Sequence, residues 1–223
     1  GNFGEAPGVA GKGLRLDGFT TRVIRAGSDL KKPGNEITIE AWISLGEYPW
    51  NWCPIITTES NEVKGYRLMI GPLGQVSMET AIGEQWIACA TAQEILPLRK
   101  WIHIAGVYIA GKEMKVFING ELKASLPIAG SMTWPAKTNC IIGMVAGPEK
   151  PSDIHRTKGT VAAYFGLDGI IDELKIYDRA MTAEQIKETF LKYTVPAPDI
   201  AIRKLPKLEK NPGRFGAFYT KLR

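Results

Sequence analysis

No apolar run in these 223 residues approaches the roughly 20 that a bilayer-crossing helix needs, which excludes a helical membrane span. The N-terminal residues also lack the charged-then-apolar layout of a secretory signal, so any such signal is expected outside this chain. Cysteine is scarce. Cys53, Cys89 and Cys140 cannot form a closed set of disulfides, and none sits in the Cys-x-x-Cys pair that would suggest zinc or redox chemistry. Either one bridge and one thiol are present, or all three are buried small hydrophobes, which is the preferred reading. Histidine is scarcer still: only His103 and His155 occur, neither beside a Ser or Cys in a nucleophile elbow. A phosphate-binding glycine loop is absent as well.

Net charge gives no nucleic-acid signal once its distribution is considered. Of the 28 basic and 23 acidic residues, 192–223 hold eight and two, which makes that tail +6 and leaves the rest at −1. A basic tail on a near-neutral body is not a phosphate-tracking face. Pro196, Pro198, Pro206 and Pro212 punctuate it, so 194–223 reads as a basic linker, docking strap or the start of a further domain.

What is present is strand periodicity. Met114, Val116 and Ile118 alternate into Asn119-Gly120, the dipeptide best suited to a type I′ turn, and Leu122, Ala124 and Leu126 resume the alternation. Trp101–Ile109 is apolar on both faces, as expected of a strand inside a sheet that is covered twice. Glu36–Leu45 is the clearest single strand. Shorter strands are predicted around Leu14–Leu16, Arg22–Arg25, Pro54–Glu59, Gly65–Ile70, Gln75–Thr80, Gln85–Thr91 and Asn139–Met144.

Gly169–Tyr177 alternates too, which predicts Ile170, Asp172, Leu174 and Ile176 on one face. Asp172 then shares a face with three aliphatic side chains, where a carboxylate needs a hydrogen bond, a cation or a metal. Thr182 with Gln185 three residues on forms a capping-box signature for one short helix striped by Ile186 and Phe190. Many short strands and a late helix predict an all-β antiparallel two-sheet sandwich over 10–193, with 1–9 as an N-terminal extension.

These elements resemble the laminin G-like, concanavalin A-like lectin/glucanase superfamily, in particular the jelly-roll modules of bacterial secreted glycan-processing proteins. The resemblance rests on GLRLDG at 13–18, ITIEAWI at 37–43, the Trp101-x-His103 strand, the Asn119-Gly120 hairpin, the Gly-x-Ile-Asp-Glu strand at 169–173 and the Ala-x-x-x-Glu-x-Ile-like helix, in that order. It implies a jelly roll with Trp42 and Trp101 in its core and a packed, hydrogen-bonded His103. It also implies a secreted, periplasmic or cell-surface location and a catalytic domain as C-terminal partner. A structural calcium at Asp17 and Asp172 is a further implication; the alternative is that Asp17 caps its own bend while Asp172 accepts hydrogen bonds from a neighbouring loop. The fold does not fix the function, because function lies in sites carried by folds.

Hydrolysis needs two cleft-facing carboxyls, and the Glu-x-Asp-x-x-Glu pattern of the related glucanases is absent. Glu59 with Glu62, and Asp172 with Glu173, are the nearest pairs. Sugar binding needs aromatic rings with a few polar side chains beside them. Outside the strands assigned to the core these are Tyr48, Trp50, Asn51, Trp52, Trp86 and Trp134, with Glu84, Gln85 and Arg156 as further polar partners. Three aromatics within 48–52 weigh most, since so dense a loop is hard to bury at once. The expected role is therefore a non-catalytic carbohydrate-binding or accessory module. The alternatives are a domain that packs against a C-terminal enzyme domain without binding glycan, and a component of a glycoside hydrolase or polysaccharide lyase.

Overall fold

The computed structural model of the chain describes residues 4–27, 32–59, 63–92, 96–136, 138–147 and 165–196. The strands are β1 (Gly4–Pro7), β2 (Lys12–Asp17), β3 (Val23–Arg25), β4 (Glu36–Leu45), β5 (Cys53–Glu59), β6 (Tyr66–Ile70) and β7 (Val76–Ile82). They continue as β8 (Gln85–Ala90), β9 (Ile102–Ile109), β10 (Glu113–Ile118), β11 (Glu121–Pro127), β12 (Asn139–Ile142) and β13 (Asp168–Tyr177), before helix α1 (Ala183–Leu191). They form a seven-stranded sheet in the order β1-β2-β13-β4-β9-β10-β11 and a six-stranded sheet in the order β3-β12-β5-β6-β7-β8. Every described pairing is antiparallel, so the predicted all-β sandwich is what the chain forms.

The alternation of each strand explains the packing. Ile37, Ile39, Ile43, Ile104, Tyr108, Met114 and Val116 from one sheet meet Leu68, Ile70, Val76, Met78 and Cys89 from the other in a single core. Strand β9, apolar on both faces, lies between β4 and β10. Its other face, with Ala105 and Val107, joins Phe117 beneath Ile186 of α1. Full burial of Ile186 is worth roughly 1.5–3 kcal/mol, enough to hold a nine-residue helix that is too short to be stable alone. The capping box forms as the sequence predicts: the Gln185 amide donates to Thr182 Oγ1 at 3.3 Å, and the Thr182 amide donates to Gln185 Oε1 at 3.0 Å.

Three local expectations change. Residues 4–7, read as part of an extension, pair with β2 and form the edge of the larger sheet. A bulge between Asp172 and Lys175, with Glu173 at φ 50°, inserts one residue into β13. The alternation therefore breaks there: Ile170 packs with Trp42 and Trp101 outside the sheet, while Leu174 packs against the inter-sheet core. A second bulge, in β11, turns Leu122 out of phase with Ala124 and Leu126 and leaves it half-exposed. The two-residue turn itself has Asn119 at φ 50° and Gly120 at φ 77°, the double positive φ of a type I′ turn.

Candidate functional site

The two carboxylates expected at a calcium site are held separately. Asp17 Oδ1 accepts the amides of Phe19, Thr20 and Thr21 at 3.1, 2.8 and 2.9 Å, and Oδ2 accepts the Thr20 hydroxyl. Burial alone would raise its pKa, but these hydrogen bonds hold the carboxyl well below the usual range. Asp172, buried under the N-terminal loop, accepts the Ala10 amide at 2.9 Å and the Glu173 amide at 2.8 Å. A Cβ on Gly8 would lie 2.2 Å from its Oδ2, so only glycine lets the loop come this close. Asp17 stands opposite Asp168 in register, four residues from Asp172 along β13, or about 13 Å. Two oxygens on one calcium lie within about 5 Å of each other, so Asp17 and Asp172 do not fit a shared ion. No group of three or more metal-ligating side chains occurs among the described residues.

The buried polar centre of the larger sheet is committed to the fold. Glu40 Oε1 accepts the Tyr177 hydroxyl at 2.7 Å; Oε2 accepts the Thr189 hydroxyl of α1 at 2.8 Å and lies 3.2 Å from His103 Nε2. Burial would raise the Glu40 pKa, yet the bonds from His103, Tyr177 and Thr189 leave it lowered overall. Trp42 is buried beside this centre, 5.6 Å from Phe190 of α1, and Trp101 belongs to the same cluster. His103 is thus a packed, hydrogen-bonded residue beneath a helix. Glu173, its carboxylate shared by Lys175 and the Tyr193 hydroxyl, ties down the chain just after the helix. Glu62, His155 and Arg156 lie outside the described residues, as does the side chain of Glu59.

The aromatic loop between β4 and β5 is more anchored than its density suggests. The Tyr48 hydroxyl donates to the Leu96 carbonyl at 2.6 Å, and the Trp50 ring lies 4.3 Å from Phe165. Asn51 is buried and its Oδ1 accepts the Trp52 amide at 2.8 Å. Trp52 lies against Gly71, where a Cβ would be 3.0 Å from its ring. Tyr48, Trp50 and Trp52 are all half-buried, which separate anchors for the hydroxyl and the rings make possible.

The other two aromatic candidates both lie at the opposite end of the six-stranded sheet, Trp86 on its outer face and Trp134 beside Tyr66 at the core. Trp86 opposes Ala81 across β7 and β8, and the Ala81 carbonyl accepts the Thr133 amide at 2.8 Å. Thr133 also accepts the Gly65 amide at 2.7 Å and donates its hydroxyl to Gly83 O at 3.1 Å, while the Met132 amide donates to the Tyr108 hydroxyl at 2.7 Å. These bonds fix the segment that carries Trp134, whose ring stacks on Tyr66 at 5.9 Å and 28°. Beside it is a groove of about 170 Å³ lined by Lys32, Pro33, Gly34, Asn35, Ser131, Met132 and Trp134. Drug-sized ligands occupy roughly 300–1,000 Å³, so this groove suits one small ring. It combines an indole, an amide, a hydroxyl and an ammonium group. Glu84 and Gln85 lie exposed in and beside the adjoining β7–β8 turn.

Sequence reasoning missed Lys32, Asn35 and Ser131, since the groove joins segments about a hundred residues apart. It also missed Arg67 and Glu79, which form an ion pair of 2.7 Å across β6 and β7. Pairing the two predicted strands around the Gly71–Gly74 turn places these residues opposite each other, so that signal was available.

The sandwich and its sheet order place the molecule in a known class. A family model of the concanavalin A-like lectin/glucanases superfamily matches residues 18–187, and the chain belongs to that superfamily. Among solved structures it is similar to domain 4 of AbnA, an extracellular arabinanase from Geobacillus stearothermophilus, in complex with arabinotriose. There the TM-score is 0.60 at 20% identity, covering 84% of this chain and 81% of that one. It is also similar to the binding domain of botulinum neurotoxin DC in complex with SialylT, with a TM-score of 0.61, 14% identity and 86% of this chain covered. A putative carbohydrate binding protein from Bacteroides ovatus gives a TM-score of 0.56 at 18% identity over 83% of this chain. The chain covers only 45% and 46% of those last two. At such identities the likeness is one of fold. No curated protein matches this chain in sequence.

Proposed function

We propose that this chain is a non-catalytic carbohydrate-binding module that holds a sugar ring in the Trp134 groove. The carrying observation is the groove itself: a fixed indole faces a small space that Asn35, Ser131 and Lys32 edge with hydrogen-bonding groups. An indole stacks on the apolar face of a pyranose or furanose, while the amide, hydroxyl and ammonium read its hydroxyls. So few contacts correspond to affinities on the order of micromolar to millimolar. The neighbours described as an arabinanase domain with arabinotriose and as a putative carbohydrate binding protein support this reading. The arabinanase, described as extracellular, also supports a secreted, periplasmic or cell-surface setting, and a C-terminal catalytic domain as partner is part of the same proposal.

Three of the carboxylates serve the fold. Glu40 is bonded beneath α1, Asp172 beneath the N-terminal loop, and Asp17 within its own bend. The module's part is accordingly to retain a glycan near a partner enzyme. A glycan array with the wild-type chain and the Trp134→Ala variant tests this. Sugar-specific binding that is lost on Trp134→Ala supports it; no binding by the wild type, or binding indifferent to the substitution, overturns it.

A further inference from the structure

We infer that the outer face of the six-stranded sheet carries a second sugar subsite, built from Arg67, Glu79 and Trp86, which extends the Trp134 site to a neutral oligosaccharide. This second subsite presupposes the sugar site in the Trp134 groove and adds chain length and charge class to it.

The three side chains share one face. Tyr66, Leu68, Val76, Met78 and Cys89 point into the core, so Arg67, Glu79 and Trp86 point away from it. Arg67 Nε donates to Glu79 Oε2 at 2.7 Å, and the guanidinium carbon lies 4.2 Å from the Trp86 ring centroid. Both contacts fix the guanidinium plane. They engage Nε and leave the terminal nitrogens of Arg67 and Oε1 of Glu79 without a partner among the described residues. The Arg67 side chain keeps 23% of its surface exposed and that of Glu79 only 8%, so Arg67 is the polar group a ligand reaches and Glu79 holds it in place.

A guanidinium held from below by a buried carboxylate presents its terminal donors at the surface. Adjacent hydroxyls of a sugar accept from such paired donors, and the indole edge supplies apolar contact. Charge decides the class. Glu79 already balances Arg67 and repels a second carboxylate, so a uronic acid is disfavoured here.

Position puts the two subsites at the same end of the sandwich. The Trp134 ring lies on the core side beside Tyr66 and the Trp86 ring on the outer face, so a chain that reaches both passes round the end of the sheet. Trp86 opposes Ala81, Ala81 bonds to Thr133, and Thr133 precedes Trp134, which brings the two tryptophan backbones within about 14 Å. That is the reach of a short oligosaccharide.

The test uses an array of neutral and uronic-acid-containing oligosaccharides of one to four units, followed by calorimetry on the wild type, Trp86→Ala, Arg67→Lys and Trp134→Ala. Arg67→Lys keeps the charge and the strand but loses the fork. The expected result is tenfold or greater tightening from monosaccharide to trisaccharide for neutral chains. Trp86→Ala and Arg67→Lys should abolish that gain and leave monosaccharide affinity unchanged, whereas Trp134→Ala should remove binding of every length. Binding that depends on Trp134 but not on chain length, or that survives both Trp86→Ala and Arg67→Lys, overturns the second subsite alone. Preference for uronic acids at equal length overturns the charge assignment. No binding of any probe by the wild type overturns the Trp134 reading and this one with it.

Discussion

On the outer face of the seven-stranded sheet, Glu40 receives two hydroxyls and lies against His103, all beneath α1, and Trp42 and Trp101 are buried beside it. At the far end of the six-stranded sheet, Glu79 meets one guanidinium nitrogen, and Trp86 and Trp134 stay partly exposed beside groups with unfilled hydrogen-bonding capacity. The residue types are the same: a glutamate, a cation or imidazole, and two tryptophans. Their surroundings separate them. The first set is closed by a helix, with Trp42 Nε1, Trp101 Nε1 and His103 Nδ1 buried without a partner among the described residues, whereas in the second Arg67, Trp86 and Trp134 stay partly exposed around a buried Glu79. A site that recognises a ligand needs hydrogen-bonding groups and rings that the ligand can reach, and a helix laid over the first set removes that access.

Substitutions should separate the two regions, and the largest effect is expected at Glu40. Glu40→Ala takes the carboxylate from buried His103 and from the part-buried Tyr177 and Thr189 hydroxyls, and should cost about 3 kcal/mol in urea unfolding. Glycan binding, measured where the variant is folded, should not change. Phe190→Ala removes the ring stacked on Trp42 and should cost roughly 2 kcal/mol, with the same indifference of binding. Trp134→Ala should do the reverse: binding falls tenfold or more, while loss of its stacking on Tyr66 lowers stability by about 1 kcal/mol.

Acid should weaken the closed region first. The lowered Glu40 pKa means that its contribution is present above the ordinary glutamate value and is lost as pH falls through the folded one. Urea midpoints should therefore drop from about pH 4.5 downward, and Glu40→Gln should flatten that decline. The smallest effect concerns calcium. Since Asp17 and Asp172 do not fit a shared ion, thermal unfolding should be the same with calcium and with a chelator. A calcium-dependent rise in Tm lost on Asp172→Asn would contradict the geometry.

Much of the closed region was legible in sequence, because it depends on short-range periodicity and on a helix whose cap is written in Thr182 and Gln185. The two-residue turn at Asn119-Gly120 was legible for the same reason. The bulge at Glu173 was not, since one inserted residue leaves the apolar pattern intact while reversing the faces of the residues after it. The open region was harder still. Trp86 and Trp134 stood out as aromatics outside core strands, but their proximity depends on Ala81 and Thr133, residues with no signal of their own. At 48–52 the density of aromatics did signal incomplete burial, since all three stay half-buried, but the reach of Tyr48 to Leu96 and of Trp50 to Phe165 is a long-range fact that no local pattern carries. The three cysteines follow the preferred reading: all are free and buried, with Cys89 pushed up to about 11 and Cys140 to about 12 by burial.

The contrast between the two regions can be read from the six tryptophans at once. In a chain labelled with nitrogen-15 at the indoles, titration with an oligosaccharide selected on the array should shift the Trp134 and Trp86 resonances and leave Trp42 and Trp101 in place. Shifts confined to Trp50 and Trp52, or spread to Trp42 and Trp101, would contradict the account.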